Sequence, residues 1–462
     1  MANKSGSLHV VMFPWLAFGH FIPFLELSKF IAQKGHKVSF ISTPKNIDRL
    51  PKLPPNLASS ITFVKIPLPP VDGLPENVEA TVDLGGLDVA FLKKAYDGLE
   101  PDLTRFLEDS APDWIIYDFA PYWLPPIAAK LNIARSFFSI VSASTVVFFG
   151  PSFDAMINGT DPRSKVEDYI VPPKWIPFES KVAYKLYESK WVVGASNLDG
   201  SGASDMYRVG SVIKGADVVL VRHCREFEGQ WLNLLENLQQ RPVMPLGLMP
   251  PKVEKSGLES NESWIAIKKW LDGQGKGSVV YVAFGSEVSM SQLELGELAL
   301  GLELSGVPFF WALRNPSGLP EGFEDRVEGR GIVWKNWAPQ LNILSHDSVG
   351  GFLTHCGWSS SIEGLMLGHP LIMLPFVIDT GLVARILEEK QVGIEIPRNP
   401  VDGSYTRDSV AKSVRLIMEE DEGKFYRDKA KEISAVFGDR ELHDGYVQRF
   451  VDYLEKNVRK PT

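Results

Sequence analysis

Short Val- and Ile-rich runs, each followed by a helical pattern and then by another such run, begin at residue 8 and recur through most of the chain. Residues 8–13 read as a first buried strand, residues 21–34 as a helix that Gly35 stops, and residues 37–42 as the next strand. Strands that are apolar throughout, rather than alternating with polar residues, are covered on both faces. With helices between them they pair in parallel. Residues 113–117 and 218–221 extend the same sheet. Between them, residues 151–205 are rich in Gly, Ser and Pro and read as a long surface excursion of the kind that shapes a binding mouth.

The alternation then breaks. Residues 242–261 carry four prolines and little periodicity, which suits a linker. Beyond it, strands at 278–284, 308–313, 331–333, 349–353 and 370–374 and a helix at 291–305 restart the pattern. A last helix at 446–458 sets Val447, Phe450, Val451, Leu454 and Val458 on one stripe. A chain of 462 residues exceeds what one core sustains. The expected architecture is α/β, with two doubly wound Rossmann-like domains facing a cleft. Residues 1–241 would form the first domain, 242–261 the linker, 262–438 the second domain, and 439–462 a helix that packs back on the first domain. Ligands in such sheets bind outside the carboxyl ends of the strands.

Composition removes several classes. A net charge of -9 and a pI near 5.5 argue against nucleic acid as a partner. No uninterrupted apolar run reaches the ~18 residues of a membrane span, and the apolar start lacks a cleavage pattern. Two cysteines, Cys224 and Cys356, are too few for a disulfide framework and fit a reducing compartment, so a cytoplasmic monomer is expected. No His/Cys cluster has zinc spacing, and no Asp-x-Asp pair offers itself to a divalent ion. No metal and no resident cofactor is therefore expected.

One region concentrates the chemistry. Trp337, Ala338 and Gln340 are followed by His355, Gly357, Trp358, Ser359, Ser360, Glu363, Gly368, Asp379 and Thr380. These are groups that hold a nucleoside diphosphate. An aromatic plate stacks a base, a carboxylate takes ribose hydroxyls, and a helix N-terminus meets phosphate with unpaired N–H groups. Ser359 and Ser360 can cap a helix beginning near Ser361, Gly357 allows close backbone approach, and His355 adds a donor, neutral or charged. A second turn, Phe284-Gly285-Ser286, can close over the phosphates.

Residues 337–380 resemble the signature of plant secondary-product glycosyltransferases, the plant branch of glycosyltransferase family 1. The opening Pro14-Trp15-Leu16-Ala17-Phe18-Gly19-His20 and the stretch Cys224-Arg225-Glu226-Phe227 match as well, so the resemblance spans nearly the whole chain. It is similar above all to members that add a further sugar to flavonoid, saponin or steviol glycosides. The resemblance implies a GT-B fold and a UDP-sugar co-substrate. Trp337 would stack uracil, Gln340 would lie by the nucleoside, His355, Ser360 and Ser286 would meet the diphosphate, Glu363 the ribose, and Asp379 the donor sugar. Two positions depart from the pattern: Ser359 stands where the family usually has Asn, and Thr380 where it usually has Gln. With apolar Val377 and Ile378 before Asp379, fewer polar arms suit a 6-deoxy sugar. UDP-rhamnose is favoured on that ground, with UDP-glucose the close alternative; Ile378 packing under its loop is the competing explanation.

A sugar hydroxyl needs a base as it attacks. His20, after the first strand in Phe18-Gly19-His20, suits that work if a carboxylate fixes its tautomer. Asp118, at the end of the 113–117 strand, is best placed, and the family's dyad falls on these two positions. Gly19 permits a tight turn there. Trp15, Phe18 and Trp123 flank the pair and are candidates for an apolar acceptor wall. The chain lacks the Gly-x-Ser-x-Gly of a serine hydrolase and has no Gly-x-Gly-x-x-Gly after its first strand. A non-catalytic glycoside-binding protein, and glycosylation of a sugar-free aglycone, remain the alternatives to sugar-chain extension.

Overall fold

Seven short runs make the first sheet: β1 (His9–Phe13), β2 (Lys37–Ser42), β3 (Ile61–Lys65), β4 (Trp114–Tyr117), β5 (Ala134–Ser139), β6 (Val218–Val221) and β7 (Val243–Pro245). Their order is β3-β2-β1-β4-β5-β6-β7, and each pairing is parallel. β4 and β6 are buried at every residue, as strands covered on both faces must be. The second sheet holds β8 (Val279–Ala283), β9 (Phe309–Ala312), β10 (Gly331–Trp334), β11 (Val349–Thr354), β12 (Leu371–Met373) and β13 (Gly393–Glu395) in the order β10-β9-β8-β11-β12-β13. The structure, a computed structural model, describes residues 6–195, 198–253, 261–285, 288–376 and 379–459. Ser286, Val377 and Ile378 lie outside the described residues.

Both sheets run 3-2-1-4-5-6 in their own strand order, the Rossmann arrangement, with β7 added to the edge of the first. Chain progression reverses between β1 and β4 in one and between β8 and β11 in the other. A right-handed crossover puts helices on opposite faces either side of such a reversal and opens a crevice at the strands' carboxyl ends.

The chain divides into two units. The first comprises Met1–Lys165, Trp191–Met249 and Glu441–Thr462; the second comprises Val166–Lys190 and Pro250–Arg440. Residues 151–205 are not the open surface excursion expected from composition. Tyr169, Val182 and Tyr184 are buried, and residues 166–190 group with the second unit. The 242–261 stretch, read as a linker, opens with the edge strand β7 and continues through buried Leu246 and Leu248. Pro245 is tolerated because it ends an edge strand.

The last helix runs Arg440–Lys456, six residues earlier than its apolar stripe suggests. Tyr446, Val447, Phe450, Val451 and Leu454 are buried, while Val458 falls beyond the helix end. Trp114 Nε1 donates to the Leu454 carbonyl at 3.1 Å, and Leu248 N donates to His443 Nδ1 at 3.2 Å. Gly247, at φ +71°, lies so close that a Cβ there would sit 2.9 Å from His443 Nδ1. Among the described residues, no helix is long and apolar enough to cross a membrane.

Candidate active site

In the first unit, β1 and β4 are neighbours at the reversal point, and each delivers one member of a pair from its carboxyl end. His20 is not in a loop: it is the third residue of the Phe18–Gln33 helix, which starts three residues earlier than its apolar pattern indicates. Gly19 therefore makes no tight turn. It is helical and exposed, and a Cβ there would meet nothing within 4 Å. His20 Nδ1 lies 2.6 Å from Asp118 Oδ2. Asp118 is only 2% exposed and also accepts from Trp15 N at 3.0 Å and Phe119 N at 2.7 Å. Two backbone N–H groups and the His20 ring thus converge on this one buried carboxyl. With the Asp118 oxygen as acceptor, the Nδ1–H tautomer of His20 completes the contact and leaves the Nε2 lone pair for a base.

The aromatic residues around the pair divide by access. Trp15 is buried edge-on against Tyr96 and Phe119. Trp123 is buried too, its Nε1 donating to Asp97 Oδ1 at 3.1 Å. Phe18 is half-buried and touches Phe21, so it has more access than Trp15. Phe119, which sequence reasoning passed over, packs between Trp15 and the His20 ring.

In the second unit, β8 and β11 are the neighbours at the reversal point, and Gly285 and His355 leave their carboxyl ends. Two glycines make room for the His355 ring. A Cβ on Gly285, at φ +72°, would lie 3.0 Å from Cε1, and one on Gly357 would lie 2.6 Å from Nε2. Cys356 between them takes φ +68°, a conformation costly for a residue with a side chain. Among the described residues His355 Nδ1 is buried with no hydrogen-bond partner. Burial pushes the imidazole down to about 4, so the ring is neutral near pH 7.

The Trp358–Met366 helix begins at Gly357, which offers no side-chain cap. Ser359 and Ser360 are thus inside its first turn and do not cap a helix at Ser361, as the sequence suggested. The first intrahelical bond is Ser361 N to Gly357 O at 2.9 Å, which leaves the N–H groups of residues 358–360 aimed out of the N-terminus. The Trp358 side chain is buried against Phe437, so this residue can offer a ligand only its backbone. Gln340, opening the Gln340–Leu344 helix, donates from Nε2 to Glu363 Oε2 at 2.8 Å and to Ser360 Oγ at 3.2 Å. Trp337, beside Ala338, is 62% exposed, which leaves its ring face open for stacking. Asp379 stands at the N-cap of the Thr380–Glu389 helix without capping it through its side chain, and Thr380 is buried.

Residues 242–451 match the family model described as UDP-glucoronosyl and UDP-glucosyl transferase. UDP-glycosyltransferase 91D2 of Stevia rebaudiana is 55% identical over 460 residues, covering 98% of this chain and 96% of that protein. The chain belongs to the plant UDP-glycosyltransferases. Soyasaponin III rhamnosyltransferase of Glycine max is 45% identical, covering 97% of this chain and 96% of that one. Among solved structures, that of Phytolacca americana UGT2 complexed with UDP-2fluoro-glucose and pterostilbene aligns with a TM-score of 0.74 at 26% identity, over 98% of this chain and all of that one. The fold of this UDP-glycosyltransferase is GT-B.

One residue of the Gln340–Glu363–Ser360 network escaped the sequence reading. Tyr281 on β8 donates its hydroxyl to Gln340 Oε1 at 3.4 Å. Its phenol is held far above its ordinary value, by burial first and by Glu363 second. Only its place in an apolar strand was visible, since a strand tyrosine is ordinarily core.

Proposed function

We propose that this UDP-glycosyltransferase moves a sugar from a UDP-sugar to a hydroxyl of a plant specialised-metabolite glycoside, extending its sugar chain with inversion at the anomeric carbon. His20 and Asp118 are the catalytic pair. His20 Nε2 takes the acceptor hydroxyl's proton as the new C–O bond forms, and Asp118 stabilises the resulting imidazolium. The bond from the anomeric carbon to UDP breaks, and UDP leaves with the electron pair. Its charge is met by the N-terminus of the Trp358–Met366 helix with Ser359, Ser360 and the His355 ring, so no metal is needed. Trp337 stacks uracil, Gln340 and Glu363 hold the nucleoside, and Asp379 takes the donor sugar. The first unit binds the acceptor and the second the UDP-sugar; the protein works in the cytoplasm as a monomer.

The observation that carries this reading is the 2.6 Å contact from His20 Nδ1 to a buried Asp118. For the donor, UDP-rhamnose is favoured over UDP-glucose. Thr380 is buried and extends no long polar arm toward a sugar, and a rhamnosyltransferase is among the similar proteins.

The test is turnover with UDP-rhamnose, UDP-glucose and UDP-xylose against flavonoid and triterpenoid glycosides and their aglycones, read by product mass. A deoxyhexose added to a glycoside, but not to its aglycone, is the expected result. A hexose product discards the rhamnose assignment, and equal use of aglycones discards chain extension. In the same assay Asp118→Asn is expected to lower kcat by about 10²- to 10⁴-fold, because the pair no longer fixes the tautomer. UDP affinity by calorimetry should not change. Activity near wild type would remove the catalytic pair.

A further inference from the structure

One turn of residues 166–190 grips the surroundings of Asp379 twice. Glu188 Oε2 lies 2.6 Å from Arg385 Nη2, and Arg385 Nη1 lies 2.7 Å from Glu395 Oε2 and 3.0 Å from the Gly381 carbonyl. Lys185 Nζ closes the cluster on Glu395. Gly381 is the second residue of the Thr380–Glu389 helix, and a Cβ there would sit 2.8 Å from Glu188 Oε1. The Glu188 carboxylate therefore rests against the first helical turn, where the positive end of the helix dipole favours negative charge. Glycine at 381 is what lets it approach.

The adjacent Tyr187 reaches the other side. Arg398 lies over three rings at once, Tyr187 at 5.1 Å, Phe376 at 5.0 Å and Tyr405 at 5.4 Å, and donates to the Pro375 carbonyl. Gly403 is as closely approached as Gly381: a Cβ there would lie 2.6 Å from the Tyr187 ring. Phe376 precedes Asp379 in sequence and Gly381 follows it. Two neighbouring side chains of one helix thus hold the chain before and after that carboxylate.

We propose that Glu188 and Tyr187 are positioning residues for the donor sugar. They act through Arg385, Gly381 and the Arg398 stack to set the first turn of the Thr380–Glu389 helix and hence the aim of Asp379. This rests on the reading of Asp379 as a donor-sugar contact. Neither residue belongs to the groups proposed for uracil, ribose or phosphate, so its influence falls on the sugar alone. Glu188 can be removed without orphaning Arg385, which keeps Glu395 as a partner.

The experiment is titration calorimetry of the full chain with UDP, UDP-glucose and UDP-rhamnose, alongside thermal unfolding to show that each variant is folded. Glu188→Ala and Tyr187→Ala are expected to weaken at least one UDP-sugar by about fivefold while leaving UDP within about twofold, and Tyr187→Phe to match wild type. Asp379→Ala should produce the same selective loss, and Glu188→Ala added to it should lower UDP-sugar affinity no further. Equal weakening of UDP and UDP-sugars, or losses that multiply in the double variant, would overturn the proposal and leave Glu188 a structural residue. If Asp379→Ala is selective and Glu188→Ala is not, only this inference falls. If Asp379→Ala leaves the UDP-sugar to UDP ratio unchanged, the donor-sugar reading falls and takes the inference with it.

Discussion

His355 shows how a single residue carries a packing argument into a functional one. Its ring is lodged between Gly285 and Gly357, and burial lowers it to about 4 from an ordinary 6.5. The unfolded chain binds the proton first as pH drops. The stabilisation from keeping this ring neutral is therefore complete above about pH 6.5 and is lost progressively down to about pH 4, at most about 3 kcal/mol. Chemical denaturation at pH 7 and pH 4.5 should show that His355→Gln loses less stability on acidification than wild type. An equal loss would mean that other groups carry the acid sensitivity. If UDP binds as proposed, its diphosphate beside the ring favours imidazolium and reverses the preference. UDP affinity should accordingly rise as pH falls below 6.5 in wild type and stay flatter in the variant.

At the scale of elements, the Trp358–Met366 helix opens on Gly357, which has no side chain to cap it. Gly357 has φ -56°, an angle open to any residue, so alanine there is opposed by the approach of His355 and not by backbone strain. Gly357→Ala should displace the ring from the helix N-terminus, at a cost of about 1–3 kcal/mol for overpacking. UDP affinity is expected to fall by roughly tenfold while the unfolding temperature drops only a few degrees; unchanged affinity would detach His355 from the phosphate site. This helix was legible in the sequence because Gly357, three Ser and Glu363 crowd its start, although the place of Ser359 and Ser360 in its first turn was not. Lys37–Ser42 and Val218–Val221 were legible to the residue, the first from Val38, Phe40 and Ile41 following the Gly35 stop, the second as an unbroken apolar run between Asp217 and Arg222. β3, β7 and β13 were missed. The first is an edge strand with only Ile61 fully buried, the second ends in proline, and the third is Gly-Ile-Glu. β5 was missed because Arg135 and Ser136 break its apolar run. Of the site, the carboxyl-end positions of His20 and Asp118 followed from strand pattern. The Glu188–Arg385 pair, 197 residues apart, left no local signal.

For the whole molecule, the decisive fact is that neither unit is continuous in sequence. The second takes Val166–Lys190 from the middle of the first, and the first takes back Glu441–Thr462 from the end of the chain. Composition marks a break near residue 250 and is blind to both exchanges, because helices that leave and return look like helices that stay. The returning helix is not an ornament. Val447, Phe450, Val451 and Leu454 are each at most 1% exposed, and four such side chains at about 1.5–3 kcal/mol each amount to roughly 6–12 kcal/mol. That matches the entire net stability of an ordinary domain, about 5–15 kcal/mol. A fragment of residues 6–249 should therefore fail to unfold cooperatively, even though it holds every strand of the first sheet and the His20–Asp118 pair. Residues 166–190 would also lose the partners that bury Tyr169, Val182 and Tyr184. Adding a peptide of residues 440–459 restores the apolar stripe together with the Trp114–Leu454 and Leu248–His443 bonds. It should bring back a cooperative thermal transition and near-ultraviolet circular dichroism from the buried tryptophans. If the fragment alone melts as sharply as the full chain, the last helix is dispensable and the first sheet carries its own core. If the peptide restores nothing, the stability of the first unit depends instead on the chain segments the fragment has lost from the second.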